Sequence, residues 1–373
     1  MDPVRAINST IVRAGIADPV PTTHGEMESD RARESAARIA AADLPGDAPA
    51  AVVPPEATWL DRDWRYRLLR AGMRSLSQLA PMRAVALFER VWFTPPRTRP
   101  GIEGRRWLAR GQPLHVRVHG HDLRAWSWGD GPAVLLVHGW GGNAGQMHAM
   151  AGALLQRGMR VVSFDAPAHG ASGPSRVGGS RVSMIEIAEA LRIVAAAAGP
   201  LVGVIAHSGG CTATALALRE GWNGPQRIAF IAPFALPSMA IEPFGRGIGA
   251  SAAVTREFRE RVERRFARPW TDFDIPPLPG LRTLPPLLLV HDHEDREVPW
   301  FHGQAVAEAW PGARLFGTRG LGHRRVLRDA RVLAAVAEFM TPLSVAHPRA
   351  TPASARAELD EAFASSGIGG DWH

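Results

Sequence analysis

The sequence contains no lysine, so every one of its 43 cationic side chains is an arginine. The net charge of +7 and the isoelectric point near 11.0 resemble those of nucleic-acid-binding proteins. The arginines, however, are spread along the chain among Asp and Glu and form no long cationic tract. An excess of Arg and Ala without Lys is more typical of a GC-rich genome, and we expect no nucleic-acid partner.

Cysteine is almost as scarce. Cys211 is the single cysteine, so the chain cannot form an internal disulfide or a thiolate metal cage. The first residues, 1–5, lack the apolar core of a signal peptide. The longest nearly apolar stretch, Ile193 to Ala206, is too short for a membrane span and is interrupted by Gly199 and Pro200. We therefore expect a cytoplasmic protein.

The organisation of the 373 residues follows from composition and periodicity. Residues 1–55, rich in Ala, Pro, Asp and Arg, are predicted to be a disordered leader, and residues 341–373 a flexible tail. Residues 56–111 carry two apolar helical patterns and are predicted to be an N-terminal helical extension that packs on the main domain. An anchor on a membrane surface, through the arginines of these helices, is the alternative that we consider less favoured.

Residues 112–340 have the pattern of an α/β domain. An alternating strand, Leu114 to Val118, is followed after Gly120 by a predicted hairpin partner, Leu123 to Trp128. Short apolar runs bounded by turn signals then alternate with helical stretches, which is typical of a mostly parallel sheet with helices on both faces. These runs are Ala133 to Val137, Val161 to Phe164, Leu201 to Ile205, Ile228 to Ile231 and Leu287 to Val290.

A candidate nucleophile follows the third of these runs. Ser208 lies in Ala206-His207-Ser208-Gly209-Gly210, between a predicted strand and a helix of small residues. A serine on such a turn is lifted off the sheet, and small neighbours avoid collisions across the turn. The amides at the start of the helix would favour negative charge beside the serine.

A candidate acid and base follow in order. Asp295 comes soon after the run ending at Val290, and His323 lies in a glycine-flanked loop before the last helix. Serine, acid, histidine is the order of one known class of catalytic triad, in which His323 would move protons and Asp295 would orient its ring. Asp292, Glu294 and Glu297 lie on the same loop and compete with Asp295 for this role.

The cluster from His291 to Asp295 also contains the residue types of a metal site. Because alternate residues leaving a strand point to opposite sides, the cluster does not assure a compact cage. We therefore expect neither a metal nor a cofactor.

An oxyanion hole is predicted after the first buried run, at His138-Gly139-Trp140-Gly141-Gly142. The main-chain amides of Trp140 and Gly209 would donate to the oxygen that becomes negative in the transition state. The segment from Asp165 to Ser172 is predicted to brace a loop through its Asp and Ser, with His169 as a wall residue.

These five motifs, HGWGG, DAPAHGAS, AHSGG, HDHEDREVP and GLGH, together resemble those of the α/β-hydrolase family. The resemblance covers about residues 112–340 and implies acyl transfer to water through an acyl-serine. Because Ser208 occupies the turn that carries the nucleophile, the chemistry of relatives that use an Asp nucleophile is disfavoured. The HGWG form is similar to that of carboxylesterases.

The segment between Ile231 and Leu287 is predicted to be a cap, at about residues 236–284. Val254, Phe258, Val262 and Phe266 form an apolar stripe on a helix whose arginines we expect to pair with glutamates of the same helix. A sharper hypothesis is that its excess Arg attracts an anionic substrate. The predicted pocket residues are His138, His207, Phe234 and Met239.

The sequence thus predicts a serine esterase acting on an ester or thioester of a small-to-medium hydrophobic substrate. A non-catalytic ligand-binding relative and a peripheral membrane lipase remain as alternatives. Ester, thioester and amide chemistry share the same triad and are not separated by the sequence.

Overall fold

The computed structural model describes residues 64–281 and 283–341. The predicted leader and all but the first residue of the predicted tail lie outside these ranges. None of the helices within them is long and apolar enough to cross a membrane.

One sheet organises the molecule. Its strands, in chain order, are β1 (Gln112–Val118), β2 (His121–Trp128), β3 (Ala133–Val137), β4 (Arg160–Phe164), β5 (Leu201–His207), β6 (Ile228–Ile231), β7 (Leu287–Asp292) and β8 (Arg314–Thr318). The spatial order is β1-β2-β4-β3-β5-β6-β7-β8. β2 is antiparallel to both β1 and β4, and the remaining neighbours are parallel. The predicted α/β class with a mostly parallel sheet is confirmed.

Burial explains which strands the sequence reveals. Every residue of β3, β6 and β7 is buried, because helices cover both faces of the central sheet. β8 is an edge strand whose residues are exposed or half-buried up to Gly317, and only its last residue, Thr318, is buried. The sequence analysis did not predict β8, because an edge strand needs no continuous apolar run.

The helices lie before, between and after the strands. In chain order they are α1 (Trp64–Leu79), α2 (Pro81–Phe93), α3 (Ile102–Leu108), α4 (His148–Leu155), α5 (Met184–Ala198), α6 (Gly209–Arg219), α7 (Ile241–Ile248), α8 (Ala252–Phe266), α9 (Phe301–Ala309), α10 (Gly322–Arg325) and α11 (Ala330–Met340). Short 3-10 turns complete the cap at Pro237–Ala240, Trp270–Phe273 and Leu278–Gly280. The predicted cap therefore consists of α7, α8 and these turns, between β6 and β7.

The N-terminal helices share an aromatic core with the cap. Phe88 of α2 stacks on Phe258 of α8 with ring centroids 4.0 Å apart, and it also contacts Phe244 of α7 at 5.4 Å. Trp92, one turn further along α2, meets Trp270 edge-to-face at 5.4 Å. Aromatic pairs at such distances add to the stabilisation from burial alone. The helical extension thus packs on the cap.

Ion pairs reinforce the same contact and correct one expectation. Arg264 of α8 pairs within its own helix, with Glu257 at 2.8 Å and Glu260 at 3.4 Å, as predicted. Arg261 and Arg265 instead both bind Glu89 of α2. The expectation of pairing within the helix was wrong for these two arginines, because α2 places a buried carboxylate beside α8.

Candidate active site

Ser208 occupies a strained turn between β5 and α6. Its backbone angles are φ 53° and ψ −123°, a conformation that side-chain-bearing residues rarely adopt and that costs about 1–3 kcal/mol. A Cβ added to Gly210 would lie 2.6 Å from the His138 carbonyl oxygen and 2.8 Å from that of Val137. The small residue at 210 is therefore required by the end of β3. The collision is with β3, whereas the sequence analysis placed it across the turn itself.

His323 and Asp295 form a buried hydrogen bond. The distance between His323 Nδ1 and Asp295 Oδ2 is 2.7 Å, and both side chains are almost fully buried. Burial by itself would raise the pKa of Asp295, but contacts from His291 and His323 hold that pKa well below its ordinary value. Asp295 is therefore ionised near neutral pH, and its Oδ2 accepts a hydrogen bond from the Nδ1–H of His323.

The other carboxylates of this loop have different partners. Asp292 accepts hydrogen bonds from Thr318 Oγ1 at 2.7 Å and from the Leu321 amide at 3.0 Å, so it braces the loop that carries His323. Glu294 is exposed, and Glu297 pairs with Arg324 at 3.0 Å. Among the four carboxylates that compete in the sequence, the His323 ring bonds to Asp295.

His207 connects the serine turn to the histidine loop. Its Nε2 donates a hydrogen bond to the main-chain oxygen of His323 at 2.9 Å, and the two rings lie 4.7 Å apart. Burial, together with the neighbouring His323, lowers the pKa of His207 to about 3. The ring is therefore neutral at physiological pH and keeps the Nε2–H that this bond requires.

The two predicted oxyanion donors adjoin one another. A Cβ added to Gly209 would lie 3.3 Å from the Trp140 nitrogen, and one added to Gly139 would lie 2.9 Å from Ser208 Cβ. Gly209 is the first residue of α6, so its amide has no acceptor within the helix. Within the described residues, no hydrogen bond occupies the Trp140 N–H. Both amides can donate to an oxygen held beside Ser208.

A family model for the alpha/beta hydrolase fold matches residues 132–273. This segment begins immediately before β3 and includes the serine turn and most of the cap. The strand order and the strand–serine–helix turn are those of the same fold. Residues 132–273 thus match this family, and the chain has the α/β-hydrolase fold.

Sequence comparison adds one curated relative. Over 118 residues, 31% of this chain, the sequence is 35% identical to RutD of Variovorax paradoxus strain S110, a protein named for an inferred carbamate hydrolase activity. The match spans 40% of that relative's length.

Solved structures of similar shape have low sequence identity to this chain. Est816, described as an N-acyl homoserine lactone degrading enzyme, matches 60% of this chain and 98% of its own at 16% identity and a TM-score of 0.47. The esterase RhEst1 from Rhodococcus sp. ECU1013 matches 62% of this chain and 99% of its own at 18% identity and a TM-score of 0.46.

The segment after α2 holds the oxyanion loop in place. Thr98 Oγ1 donates to the Gly141 carbonyl oxygen at 2.6 Å and accepts from Asn143 Nδ2 at 3.0 Å. Pro96 packs so closely on Gly141 that a Cβ there would approach its ring to 2.5 Å. The sequence analysis placed Pro96 and Thr98 in the helical extension and gave them no role in the site. The signal that it overlooked is the density of proline between 95 and 100, which fixes the backbone.

His138 supports the oxyanion loop from below. Its Nδ1 donates to the Gly139 carbonyl oxygen at 2.8 Å, and its Nε2 accepts from the Ala166 amide at 3.0 Å. Burial lowers its pKa, which keeps the ring neutral, as these two bonds require. Asp165 accepts from the amides of Ala144 and Ala171, in the loop-bracing role expected of it.

A cavity of about 370 Å³ opens above Ser208. His207 and Phe234, two of the predicted pocket residues, line it together with Ser208, Gly209 and His323. Its apolar walls come from the N-terminal helices and the cap: Trp92, Phe93, Phe244, Val262, Phe266 and Trp270.

Two predicted pocket residues and one predicted wall residue lie outside this lining. His138 does not line this cavity, and both of its ring nitrogens are engaged by the backbone beneath the loop. Met239 does not line it either, and it is 48% exposed. His169 is buried behind the Trp140 ring, which it meets edge-to-face at 5.5 Å.

The histidine and carboxylate cluster after β7 is dispersed. His293 stacks on Trp300 with centroids 3.7 Å apart, while His291 donates from Nε2 to the Val298 carbonyl oxygen at 2.9 Å. In the part of the chain that the structure describes, no group of three or more His, Cys, Asp or Glu is arranged to hold a metal ion.

Proposed function

We propose that this protein is a serine hydrolase that cleaves a carboxylic ester or thioester of a small-to-medium hydrophobic substrate through an acyl-serine intermediate. One observation carries the proposal. Ser208, on its strained turn, and His323, bonded to the ionised Asp295, face the same apolar cavity beside two available main-chain amides.

The residues divide the chemistry as follows. Ser208 Oγ attacks the acyl carbon while His323 takes its proton, and the amides of Trp140 and Gly209 stabilise the oxyanion that develops. His323 then protonates the departing alcohol or thiol, which leaves an acyl-serine. A water molecule, deprotonated by His323, attacks this ester, and His323 returns the proton to Ser208. Asp295 holds Nδ1–H and stabilises the imidazolium at both stages.

The cavity supports the hydrophobic part of the proposal. Aromatic and aliphatic side chains from α2, α7 and α8 form its walls, and desolvation of an acyl chain against them supplies binding energy. Because α2 contributes Trp92 and Phe93, the N-terminal helices form part of the substrate site. The carbamate named for the RutD relative has a carbonyl of the same kind and belongs in the substrate panel.

The test is hydrolysis of p-nitrophenyl esters of increasing acyl length by the purified full chain and by Ser208→Ala, with one carbamate included. We expect turnover that disappears in Ser208→Ala and an optimum at an acyl length set by the cavity. A fluorophosphonate probe should label wild-type Ser208 and leave the variant unlabelled. A wild-type protein that neither turns over an ester nor reacts with the probe would contradict the proposal and favour a ligand-binding role.

A further inference from the structure

The mouth of the cavity is rich in positive charge. Arg99, Arg324 and Arg328 line the cavity, and all three side chains are exposed, so they lie at its opening. Glu297 is the one acidic residue among the lining residues that the structure describes. It pairs with Arg324 at 3.0 Å, which offsets the charge of that arginine.

Arg99 and Arg328 are left without such a partner. Across residues 64–281 and 283–341, no carboxylate forms an ion pair with either of them. Three arginines of α8 differ, because Arg261 and Arg265 share Glu89 and Arg264 pairs with Glu257. Arg99 and Arg328 therefore bring charge without an ion pair to the mouth of the cavity, whereas the sharper hypothesis from the sequence placed anion attraction on the cap helix.

The structure holds the backbone of both arginines. Arg99 lies between Thr98, which bonds to the oxyanion loop, and Pro100, whose oxygen accepts from Arg105 at 2.8 Å. Arg328 ends a 3-10 turn whose other members, Val326 and Leu327, are buried. The backbone of each arginine is thus anchored by contacts of its neighbours, and this keeps both residues beside the opening.

The apolar walls of the cavity disfavour a permanent anion. They are mainly aromatic and aliphatic, so an anion buried against them, away from the two main-chain amides beside Ser208, would lose its hydration without gaining a partner. A ligand that fits both regions has an apolar chain inside and an anionic oxygen group at the mouth. Guanidinium forks bind carboxylates and phosphates in this way.

We propose that Arg99 and Arg328 form an anion-recognition rim. The rim selects esters or thioesters whose acyl chain is apolar and whose alcohol or thiol part carries a carboxylate or a phosphate-like group. The inference rests on the proposed function for the position of the scissile bond, but recognition of the anion can be measured without hydrolysis.

The binding test uses ethers that no hydrolase cleaves. The para-hexyloxy derivatives of benzamide, benzoate and benzylphosphonate share one apolar chain and differ in the charge of the head group. Titration calorimetry on the full chain should give tighter binding of an anion than of the amide. In Arg99→Gln/Arg328→Gln this preference should fall on the order of tenfold, as for two exposed ion pairs. The stronger binder of the carboxylate and the phosphonate shows which of the two anionic groups the rim prefers.

The matched control is Arg264→Gln, which removes a cap arginine that pairs with Glu257 and Glu260 and does not line the cavity. It should leave the anion preference unchanged. Equal binding of the anions and the amide by the wild-type protein would overturn the proposal. A preference for the anions that survives in the double variant would overturn it as well. Both results are independent of whether Ser208 reacts with esters, so failure of the rim and failure of the proposed hydrolase activity are distinguishable.

Discussion

The ring of His207, the residue before the serine, donates its Nε2–H to the main-chain oxygen of His323 at 2.9 Å. This bond joins the last residue of β5 to α10, across 116 positions of the chain. It is buried, so neither group can exchange its partner for water without opening the site. The spacing between the candidate nucleophile and the candidate base therefore depends on His207.

We expect His207→Phe to lower kcat for a p-nitrophenyl ester by about tenfold or more, because it leaves the His323 oxygen buried without a donor, at a cost of about 1–3 kcal/mol. KM should change little, and the pH profile of kcat should shift with the displaced His323. His207→Gln, which keeps a donor, should recover part of the rate. A His207→Phe protein with wild-type kcat and pH profile would show that the bond has no positioning role.

Substitutions of the neighbouring residues Asp292 and Asp295 should have different effects on activity and stability. Asp295→Asn removes the ionised partner of His323 and should lower kcat by about 10⁴, the size of the effect in other serine triads. Asp292→Asn alters the braces to Thr318 and Leu321 and should reduce the midpoint of thermal unfolding more than kcat. Kinetics and calorimetry on both variants check this. A larger rate loss in Asp292→Asn would reverse the assignment.

Thr98 should affect the transition state through Gly141. Thr98→Val keeps the shape but removes the hydrogen bonds to Gly141 and Asn143, which frees the loop that presents the Trp140 amide. Removal of an oxyanion donor lowers kcat by about 10²–10³. A less firmly held Trp140 amide should therefore lower kcat by about tenfold and leave KM nearly unchanged. Thr98→Ser retains the hydroxyl and should restore most of the rate. If KM rose and kcat did not change, Thr98 would act on ground-state binding instead.

The aromatic contact between α2 and α8 should dominate the stability of the cap. Phe258 is fully buried and stacks on Phe88, so Phe258→Ala should cost about 3–5 kcal/mol in the free energy of unfolding. Leu281 is 60% exposed, and Leu281→Ala should change that free energy by less than about 0.5 kcal/mol. Denaturant titration measures both. Comparable values for the two variants would show that the cap contributes little to global unfolding.

Acid should destabilise the fold below about pH 6.5. Burial lowers the pKa values of His169, His207 and His302 to about 3, so between pH 6.5 and 3 the unfolded chain binds three protons that the native state does not. Asp274 acts in the opposite direction, since burial raises its pKa to about 7 and the native state holds a proton that the unfolded chain loses above pH 4.

The histidines outnumber the single aspartate, so the free energy of unfolding should fall as pH falls through this window. Each proton that the unfolded chain binds in excess of the native state lowers the free energy of unfolding by about 1.4 kcal/mol for each pH unit of acidification. Urea titrations at pH 7.5 and pH 5 should show the loss, and Asp274→Asn should steepen it because the opposing proton is removed. Stability that is constant or higher at pH 5 would contradict the burial of neutral histidines.

The chain alone indicates the fold, because the fold depends on local patterns. Buried parallel strands read as short apolar runs, and a turn that carries a reactive serine between a strand and a helix requires small neighbours. The runs ending at Val137 and Val290 placed β3 and β7 correctly. The edge strand β8, with one face and one edge uncovered, lacks such a run and was not predicted.

The chain also determined which residue types were available to the site, in the order serine, acid, histidine. It favoured Asp295 as the partner of His323 but left three competitors, because four carboxylates lie within a few residues of one another. The choice between Asp292 and Asp295 depends on where the loop turns after β7, and that turn is fixed by contacts with Thr318 and Leu321.

Only the tertiary structure brought the N-terminal helices to the site. Nothing in the periodicity of α2 shows that Trp92 and Phe93 line the cavity, that Thr98 holds the oxyanion loop, or that Arg99 reaches the mouth. Likewise, His138 and Met239 are plausible pocket residues by sequence until packing assigns one to the interior and the other to the surface. Short-range patterns specify strands, helices and turns, whereas a binding site is formed by side chains that are distant in sequence, and their proximity is decided by how the elements pack.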